Sequence, residues 1–426
     1  MSLKGSIKVA GDKSITHRAI IFSSLAKGTT CIYDPLLGAD CISTLEIFRQ
    51  FGVVAQLSEN CLTISSPGFE HFNYDKTILD AGNSGTTARL LMGVLANLPA
   101  TLTLIGDESL SKRPMKRVTL PLSQMGANIL LANDETLPAT ITGHQLTGIS
   151  YELPVASAQV KSAIMLAGML ASGVTTIHEP VPTRDHTEKM FEAFQIAYNK
   201  EDKIITVNGP QVPVTPGEIV VPGDISSAAF FIVAALMVPG SDILIENVGI
   251  NETRSGIIDI VKAMNGDITL LNERYFGGEL VADLRIKYTK ELVATTIEGE
   301  MIPRLIDEIP ILALLATRAK GLTIIKDASE LKVKETNRID VTVQQLQAIG
   351  ANISSTEDGM MIEGQPDGSF KAARVSSHKD HRIAMMLCVA DLLIEEPLLI
   401  GDVESMEISY PDFSKHLNVL LGNKEL

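Results

Sequence analysis

DAGNSGTTARL, residues 80–90, runs Gly82, Asn83, Ser84, Gly85, Thr86 and Thr87 straight into the apolar stretch Leu90-Leu91-Met92. A helix that starts with small polar residues and then turns apolar on nearly every face is a buried helix with an exposed or ligand-facing tip. The stretch lacks the Gly-Lys-Ser/Thr ending of a nucleotide-binding loop, so an anion held there is held some other way. The same pattern recurs in looser form. GDKSITHRAIIFSSLA starts at Gly11, ASAQVKSAIMLAGMLA at Ala156, GDISSAAFFIVAALM at Gly223, IPRLIDEIPILALLA at Ile302 and HKDHRIAMMLCVADLL at His378. With Gly82 this makes six starts about 70–80 residues apart, a longer period than common solenoids show.

A second, amphipathic helix follows most of them: LGADCISTLEIFRQFGV, KRPMKRVTLPLSQMGA, TRDHTEKMFEAFQIA, ETRSGIIDIVKAMNG and KETNRIDVTVQQLQAIGA. Strand-like runs fill the gaps, among them TLTLI (101–105), TTIHE (175–179), KIITVNG (203–209) and LTIIK (322–326). The reading is an α/β chain of six strand–buried helix–strand–surface helix copies, three to each of two domains. VAGDKS (9–14) and VPGDIS (221–226) are natural crossing points, and the Pro/Gly-rich PQVPVTPGE (210–218) supports a boundary nearby.

Composition excludes several function classes. Of 426 residues, 45% are apolar and only 4% aromatic, without tryptophan, so the cores must be aliphatic. A net charge of −15 without aromatic-laced basic patches argues against nucleic acid as partner. The longest apolar run, Ala228 to Val238, is too short to span a bilayer. The N-terminus enters a strand-like segment directly, with no signal-like stretch, so the expected location is the cytoplasm. Cys31, Cys41, Cys61 and Cys388 lack metal-ligand spacing and read as reduced, buried thiols. The histidines form no zinc motif, and neither a Rossmann fingerprint nor a G-x-S-x-G elbow occurs.

Basic residues accompany the helix starts: Lys13 and Arg18, Arg89, Lys161, Arg304 and Arg382, with Arg113, Lys332, Lys334 and Arg338 in loops between copies. In an acidic protein this focuses positive potential for a small, multiply charged anion. Two carboxylates stand out as acid–base candidates. Asp307, with Glu308, interrupts an apolar run, and Glu335 follows Lys334. Apolar surroundings raise a carboxyl pKa and an adjacent cation lowers it, a split suited to acid and base steps at neutral pH. A helix cap for Asp307, and an i,i+3 partnership of Glu335 with Arg338, remain open alternatives.

GDKSITHRA, AGNSGTTARLL, DESLSKRPM, ASAQVKSA, TRDHTEKM, PGDISSAAFF, LIDEIPILA, LKVKETNRI and DHRIAMM together resemble the EPSP synthase family of enolpyruvyltransferases, in the family's order from residue 11 to 386. The resemblance implies an inside-out α/β barrel architecture. Two similar domains each hold three βαβαββ-type units around a pseudo-threefold axis, with the active site in the interdomain cleft. It puts residues 12–223 in one domain, carrying much of the shikimate 3-phosphate site. Residues 1–11 and 224–426 form the other, carrying Asp307, Glu335 and part of the phosphoenolpyruvate site.

The implied reaction moves the enolpyruvyl group of phosphoenolpyruvate to the 5-hydroxyl of shikimate 3-phosphate and releases phosphate, on the route to chorismate and the aromatic amino acids. It needs no cofactor and no metal, and the resemblance implies a monomer. By motif match, Lys13, Ser14, Arg18, Ser157, Ala158, Gln159, Arg184, Asp307 and Lys334 meet shikimate 3-phosphate. Lys13, Asn83, Gly85, Arg113, Gln159, Arg338, His381 and Arg382 meet phosphoenolpyruvate. Asp307, Glu335 and Lys13 are the catalytic set.

Departures from the family pattern are Ile408 where many members have lysine, Glu330 for asparagine, Ala158 for a second serine, and TRDHTEKM for a tyrosine-containing segment. They resemble the family's second class. Gly85, alanine in many glyphosate-tolerant members of that class, leads to the expectation that glyphosate still fits. Two competing functions stay open: the sister enzyme that acts on UDP-N-acetylglucosamine, and a non-catalytic anion-binding protein. The first usually has Lys-Asn for Lys13-Ser14 and a loop cysteine that GDESLSKRPM (106–115) lacks.

Overall fold

Six helices are buried along most of their length: Lys13–Leu25, Gly85–Leu95, Ala158–Leu170, Ile225–Met237, Ile309–Ala316 and His381–Asp391. They belong to a computed structural model that describes residues 2–422. Residue 1 and residues 423–426, the ends of the second expected domain, lie outside the described residues. Five of the six starts are capped by their own side chains. Asp12 accepts from Ile15 N at 2.9 Å, Ser84 from Thr87 N at 3.1 Å, Ser157 from Val160 N at 3.5 Å, Asp224 from Ser226 N at 2.8 Å and Asp380 from Arg382 N at 2.9 Å. Each cap satisfies one of the orphan N–H groups that a buried helix end cannot leave bare.

The fifth start differs from the sequence expectation. IPRLIDEIPILALLA is not one helix but two, Met301–Leu305 and Ile309–Ala316, broken at 306–308. Pro310 is the cause. It has no N–H and its ring excludes the carbonyl four residues back, so the helix cannot run through it but can restart with it in the first turn.

The chain divides into two compact units. The N-unit comprises Gly11–Val221 with Phe276–Gly278, and the C-unit comprises Met1–Ala10, Pro222–Tyr275 and Glu279–Leu426. The N-unit has three four-stranded sheets of one design. In each, a short edge strand runs parallel to a second strand, and an antiparallel hairpin follows. Ile78–Asp80 pairs with Thr101–Ile105, then Thr136–Thr142 and Asn128–Ala132. Ser150–Glu152 pairs with Gly173–His178, then Ile204–Gly209 and Tyr198–Glu201. In the remaining sheet Gly28–Tyr33 takes its parallel neighbour, Glu218–Val220, from the far end of the unit. Its hairpin is Cys61–Ser66 with Val54–Ser58.

The C-unit repeats the design. Lys4–Lys8 runs parallel to Asp242–Gly249, which pairs with Glu279–Lys287 and, beyond it, Asp267–Phe276. Thr296–Ile297 runs parallel to Gly321–Ile325, followed by Met360–Gly364 and Asn352–Ser355. The sixth copy is reduced to two parallel strands, Arg374–Ser376 and Leu399–Gly401, and continues into helix Phe413–Leu420 rather than a hairpin. VAGDKS and VPGDIS each follow an edge strand and lead into a buried helix. The strand stays in one unit's sheet while the helix enters the other unit.

Aliphatic side chains dominate both cores, with small aromatic clusters added: Phe22 with Phe191 and Phe194 in the N-unit, and Phe231 with Tyr410 and Phe413 in the C-unit. In the C-unit the three buried helices contact one another pairwise. In the N-unit, Gly85–Leu95 packs closely on Ala158–Leu170, and a Cβ at Gly93 would lie 2.1 Å from the Ala163 carbonyl oxygen. Only glycine permits that approach. Cys41 is buried as expected, whereas Cys31, Cys61 and Cys388 are half-buried, and all four are free thiols. Among the described residues no helix is long and apolar enough to cross a membrane.

Lys161 departs from its expected part as an anion-facing cation. It is fully buried, with Nζ 2.8 Å from Glu188 Oε1, 3.3 Å from Glu179 Oε1 and 3.3 Å from the Thr183 carbonyl. Two buried carboxylates share it, so Lys161→Met removes their common buried cation and leaves Glu188 with Lys200 at 3.5 Å and Glu179 with Thr183. Its unfolding free energy should fall by about 3–5 kcal/mol, read from urea denaturation of the N-unit signal.

Candidate functional site

Two clusters of the expected residues form in the N-unit, and one forms in the C-unit. The first N-unit cluster lies on helix Lys13–Leu25. Lys13 Nζ is 3.1 Å from Asp40 Oδ2. Arg18 is 4% exposed, and its guanidinium donates from Nε to Thr187 Oγ1 at 2.8 Å, from one terminal nitrogen to Ser162 Oγ at 2.7 Å and from the other to the Ser14 carbonyl at 3.0 Å. Ser157 caps helix Ala158–Leu170, with Ala158 and Gln159 as its first two residues. Arg184 is half-buried, just before helix His186–Ala193.

The second cluster surrounds the start of helix Gly85–Leu95. Asn83 bridges outward: its Oδ1 accepts from Arg113 at 2.8 Å and its Nδ2 donates to Asp107 Oδ2 at 2.6 Å. Arg113 also donates to Ser109 Oγ at 3.1 Å, so Asn83 and Arg113 tie loop 106–115 to the helix start. Arg89 donates to Gln159 Oε1 at 2.9 Å, and Gln159 Nε2 donates to Thr86 Oγ1 at 3.1 Å. A Cβ at Gly85 would lie 2.7 Å from one Arg89 nitrogen and 3.5 Å from one of Arg113. Gly85 therefore sits where two guanidinium groups converge on a helix N-terminus, an arrangement that favours an anion.

A buried hydrogen-bond chain joins the two clusters. His17 Nδ1 lies 2.8 Å from Thr44 Oγ1, Thr44 Oγ1 lies 2.7 Å from Thr87 Oγ1, and Thr87 Oγ1 donates to the Ser84 cap at 2.7 Å. Burial, and then the charges of Lys13 and Arg18, push the His17 pKa well below the ordinary histidine value, so the ring stays neutral.

In the C-unit, Arg338 is 1% exposed and gathers three carboxylates. Nε donates to Asp380 Oδ2 at 2.8 Å, one terminal nitrogen donates to Asp307 Oδ1 at 3.2 Å, and the other to Glu335 Oε2 at 2.5 Å. Burial alone would lower its pKa, but Asp380, Glu335 and Asp307 together raise it above the ordinary arginine value. Lys334 Nζ lies 3.8 Å from Asp307 Oδ1. The expected split between one acid in apolar surroundings and one beside a cation is not what forms, because both acids lean on one guanidinium. Glu308, next to Asp307, is fully buried like Asp380 and hydrogen-bonds Ser226 Oγ, itself bonded to Arg254 at 2.7 Å. Neither alternative for the acids excludes the pairing: Asp307 is not a cap, and Glu335 does bond Arg338 at i,i+3. His381 and Arg382 open helix His381–Asp391 and are buried. Arg304 turns away, to Asp259 Oδ2 at 2.7 Å and the Glu252 carbonyl.

Several participants were missed in the sequence. Asp40, Ser162, Thr187 and Asp380 are ordinary small polar residues there, and only Asp380, just ahead of His381-Arg382, carried a capping signal. Among the described residues no group of three or more His, Cys, Asp or Glu is placed to hold a metal ion.

The profile of the family described as EPSP synthase (3-phosphoshikimate 1-carboxyvinyltransferase) matches residues 1–417. The 3-phosphoshikimate 1-carboxyvinyltransferase of Bacillus licheniformis is 49% identical over 420 residues, covering 98% of this chain and 97% of its own. The structure of EPSP synthase from Acinetobacter baumannii superposes with a TM-score of 0.87 at 43% identity, over 98% of this chain and 96% of its own. The enolpyruvyl transferase NikO from Streptomyces tendae shares the fold, with a TM-score of 0.79 at 17% identity over 98% of this chain and 95% of its own.

Two outcomes follow from the buried charges. Arg338→Met leaves Asp307, Glu335 and Asp380 without their shared cation. It should destabilise the C-unit by about 3–5 kcal/mol at pH 7, seen in denaturant titration. His17 binds its proton more weakly folded than unfolded, so it contributes stability that is full above about pH 6.5 and is lost as pH falls below it. His17→Asn should flatten the stability profile below about pH 6.5 relative to the parent, measured by denaturant titration at each pH.

Proposed function

Because the chain belongs to the EPSP synthase (3-phosphoshikimate 1-carboxyvinyltransferase) family, we propose that it transfers the enolpyruvyl group of phosphoenolpyruvate to the 5-hydroxyl of shikimate 3-phosphate, releasing phosphate. The observation that carries the assignment of roles is the clasp of Arg338 on Asp307 and Glu335, at 3.2 and 2.5 Å. It keeps two carboxylates close together in the C-unit, as a reaction that moves two protons requires.

The N-unit carries much of the shikimate 3-phosphate site, through Lys13, Ser14, Arg18, Ser157, Ala158, Gln159 and Arg184. Asp307 and Lys334 also meet that substrate. Phosphoenolpyruvate is held by Lys13, Asn83, Gly85, Arg113, Gln159, Arg338, His381 and Arg382. Arg338 also bonds Asp307, Glu335 and Asp380, so it holds the acids as well as the substrate.

In the addition step Asp307 takes the proton of the 5-hydroxyl as its oxygen attacks C2 of phosphoenolpyruvate. Glu335, with Lys13, delivers a proton to C3. In the elimination Glu335 takes a proton back from C3 as the C2–O bond to phosphate breaks and the vinyl ether forms. The intermediate carries two phosphates and a carboxylate, and fixed cations such as Lys13, Arg18 and Arg113 offset their repulsion without reorganising. The enzyme works as a cytoplasmic monomer.

The test is phosphate release from phosphoenolpyruvate, expected only when shikimate 3-phosphate is present; release that needs a UDP-sugar instead would replace the reading. Asp307→Asn should lower kcat by about 10²–10⁴-fold while ligand binding persists, measured by steady-state kinetics and calorimetry. Unchanged turnover would remove Asp307 as the base.

A further inference from the structure

We infer that Thr187 and Ser162 are positioning residues for Arg18: a linked hydroxyl pair that fixes the guanidinium edge as a carboxylate would. The inference rests on the reading of Arg18 as a shikimate 3-phosphate ligand. Arg18 Nε and a terminal nitrogen present one edge of the guanidinium. That edge meets Thr187 Oγ1 at 2.8 Å and Ser162 Oγ at 2.7 Å, and the two hydroxyl oxygens lie 2.7 Å apart in a hydrogen bond of their own. Two linked oxygens on one guanidinium edge reproduce the forked geometry that arginine usually makes with a carboxylate. A terminal nitrogen on the other side donates to the Ser14 carbonyl at 3.0 Å. Arg338 shows the contrary solution, with carboxylates on the corresponding nitrogens.

The hydroxyl pair is itself held. Thr187 and Ser162 are both 0% exposed. Thr187 sits within TRDHTEKM, and both ends of that segment are pinned to one buried ion group. Thr183 N and Oγ1 donate to Glu179 Oε1 at 3.0 and 2.5 Å, and Glu188 receives Lys161 at 2.8 Å. Lys161 and Ser162 are consecutive on helix Ala158–Leu170. The same buried lysine thus seats helix His186–Ala193 against the helix that presents Ser162. This gives TRDHTEKM a purpose beyond Arg184: it delivers a rigid, uncharged acceptor to Arg18.

Steady-state kinetics of Thr187→Val and Thr187→Ser test this. Valine keeps the shape and removes the hydroxyl, leaving a charged donor without its acceptor. The KM for shikimate 3-phosphate should rise about tenfold, with a much smaller change in the KM for phosphoenolpyruvate and in kcat. Serine should restore the parent values. Thr187→Asp should weaken shikimate 3-phosphate by at least a further tenfold relative to Thr187→Asn, because it neutralises Arg18. Equal effects of valine and serine, equal effects of aspartate and asparagine, or matched changes in both KM values would overturn the inference.

The Arg18 Nε–H resonance, followed by NMR without any substrate, is an independent reading. It should be protected from exchange in the parent and in Thr187→Ser and lose protection in Thr187→Val; protection that persists in the valine variant would also overturn it. A parent enzyme inactive toward shikimate 3-phosphate would sink the functional assignment, and the NMR comparison would still decide the role of Thr187.

Discussion

The constraint on which the structure depends is the burial of whole helices. A helix that is apolar on every side packs well, but its first-turn N–H groups still require acceptors. The protein meets this with Asp12, Ser84, Ser157, Asp224 and Asp380, each accepting from its own first turn. One end of every such helix is therefore polar while the rest is aliphatic. Much of the polar chemistry gathers at these ends, where the helices already require polar groups.

The buried arginines of the two units illustrate two ways to keep a cation out of water. In the N-unit, Arg18 is held by hydroxyls and a carbonyl, and Arg89 by the Gln159 amide and the Pro114 carbonyl. Such partners satisfy donors and fix the direction of the guanidinium. In the C-unit, Arg338 is surrounded by carboxylates, and Arg254 meets Asp224 and a serine bonded to Glu308. There the cation serves to hold acids in place. The first arrangement suits receiving an external anion, and the second suits presenting proton-transfer groups at fixed positions.

Much of the site was legible because its residues sit at the starts of periodic apolar runs, where caps and cations stand out. The paired acids were also visible, since Asp307 and Glu308 break a run that otherwise would be helix. Which of the two would be buried was not legible. That depended on Pro310 breaking the helix, so that Asp307 turns to Arg338 while Glu308 turns to Ser226. Lys161 and Arg304 show the opposite failure. Both follow the sequence pattern for anion-facing cations, yet neither serves as one. A helix start has several faces, and which of them meets Glu188 or Asp259 is decided by neighbours far along the chain.

By itself the sequence determined the six buried helices, their polar starts, the alternation with strands and the family. Those properties are written in local periodicity and in motifs that the chain carries contiguously. Only the tertiary structure decided the partners: Thr187 with Arg18 across 169 positions, Asp380 with Arg338 across 42, and Glu308 with Ser226 across 82. Hydrogen bonds and ion pairs act over a few ångströms, and nothing in a residue's own neighbourhood says which distant side chain folding will bring within that reach.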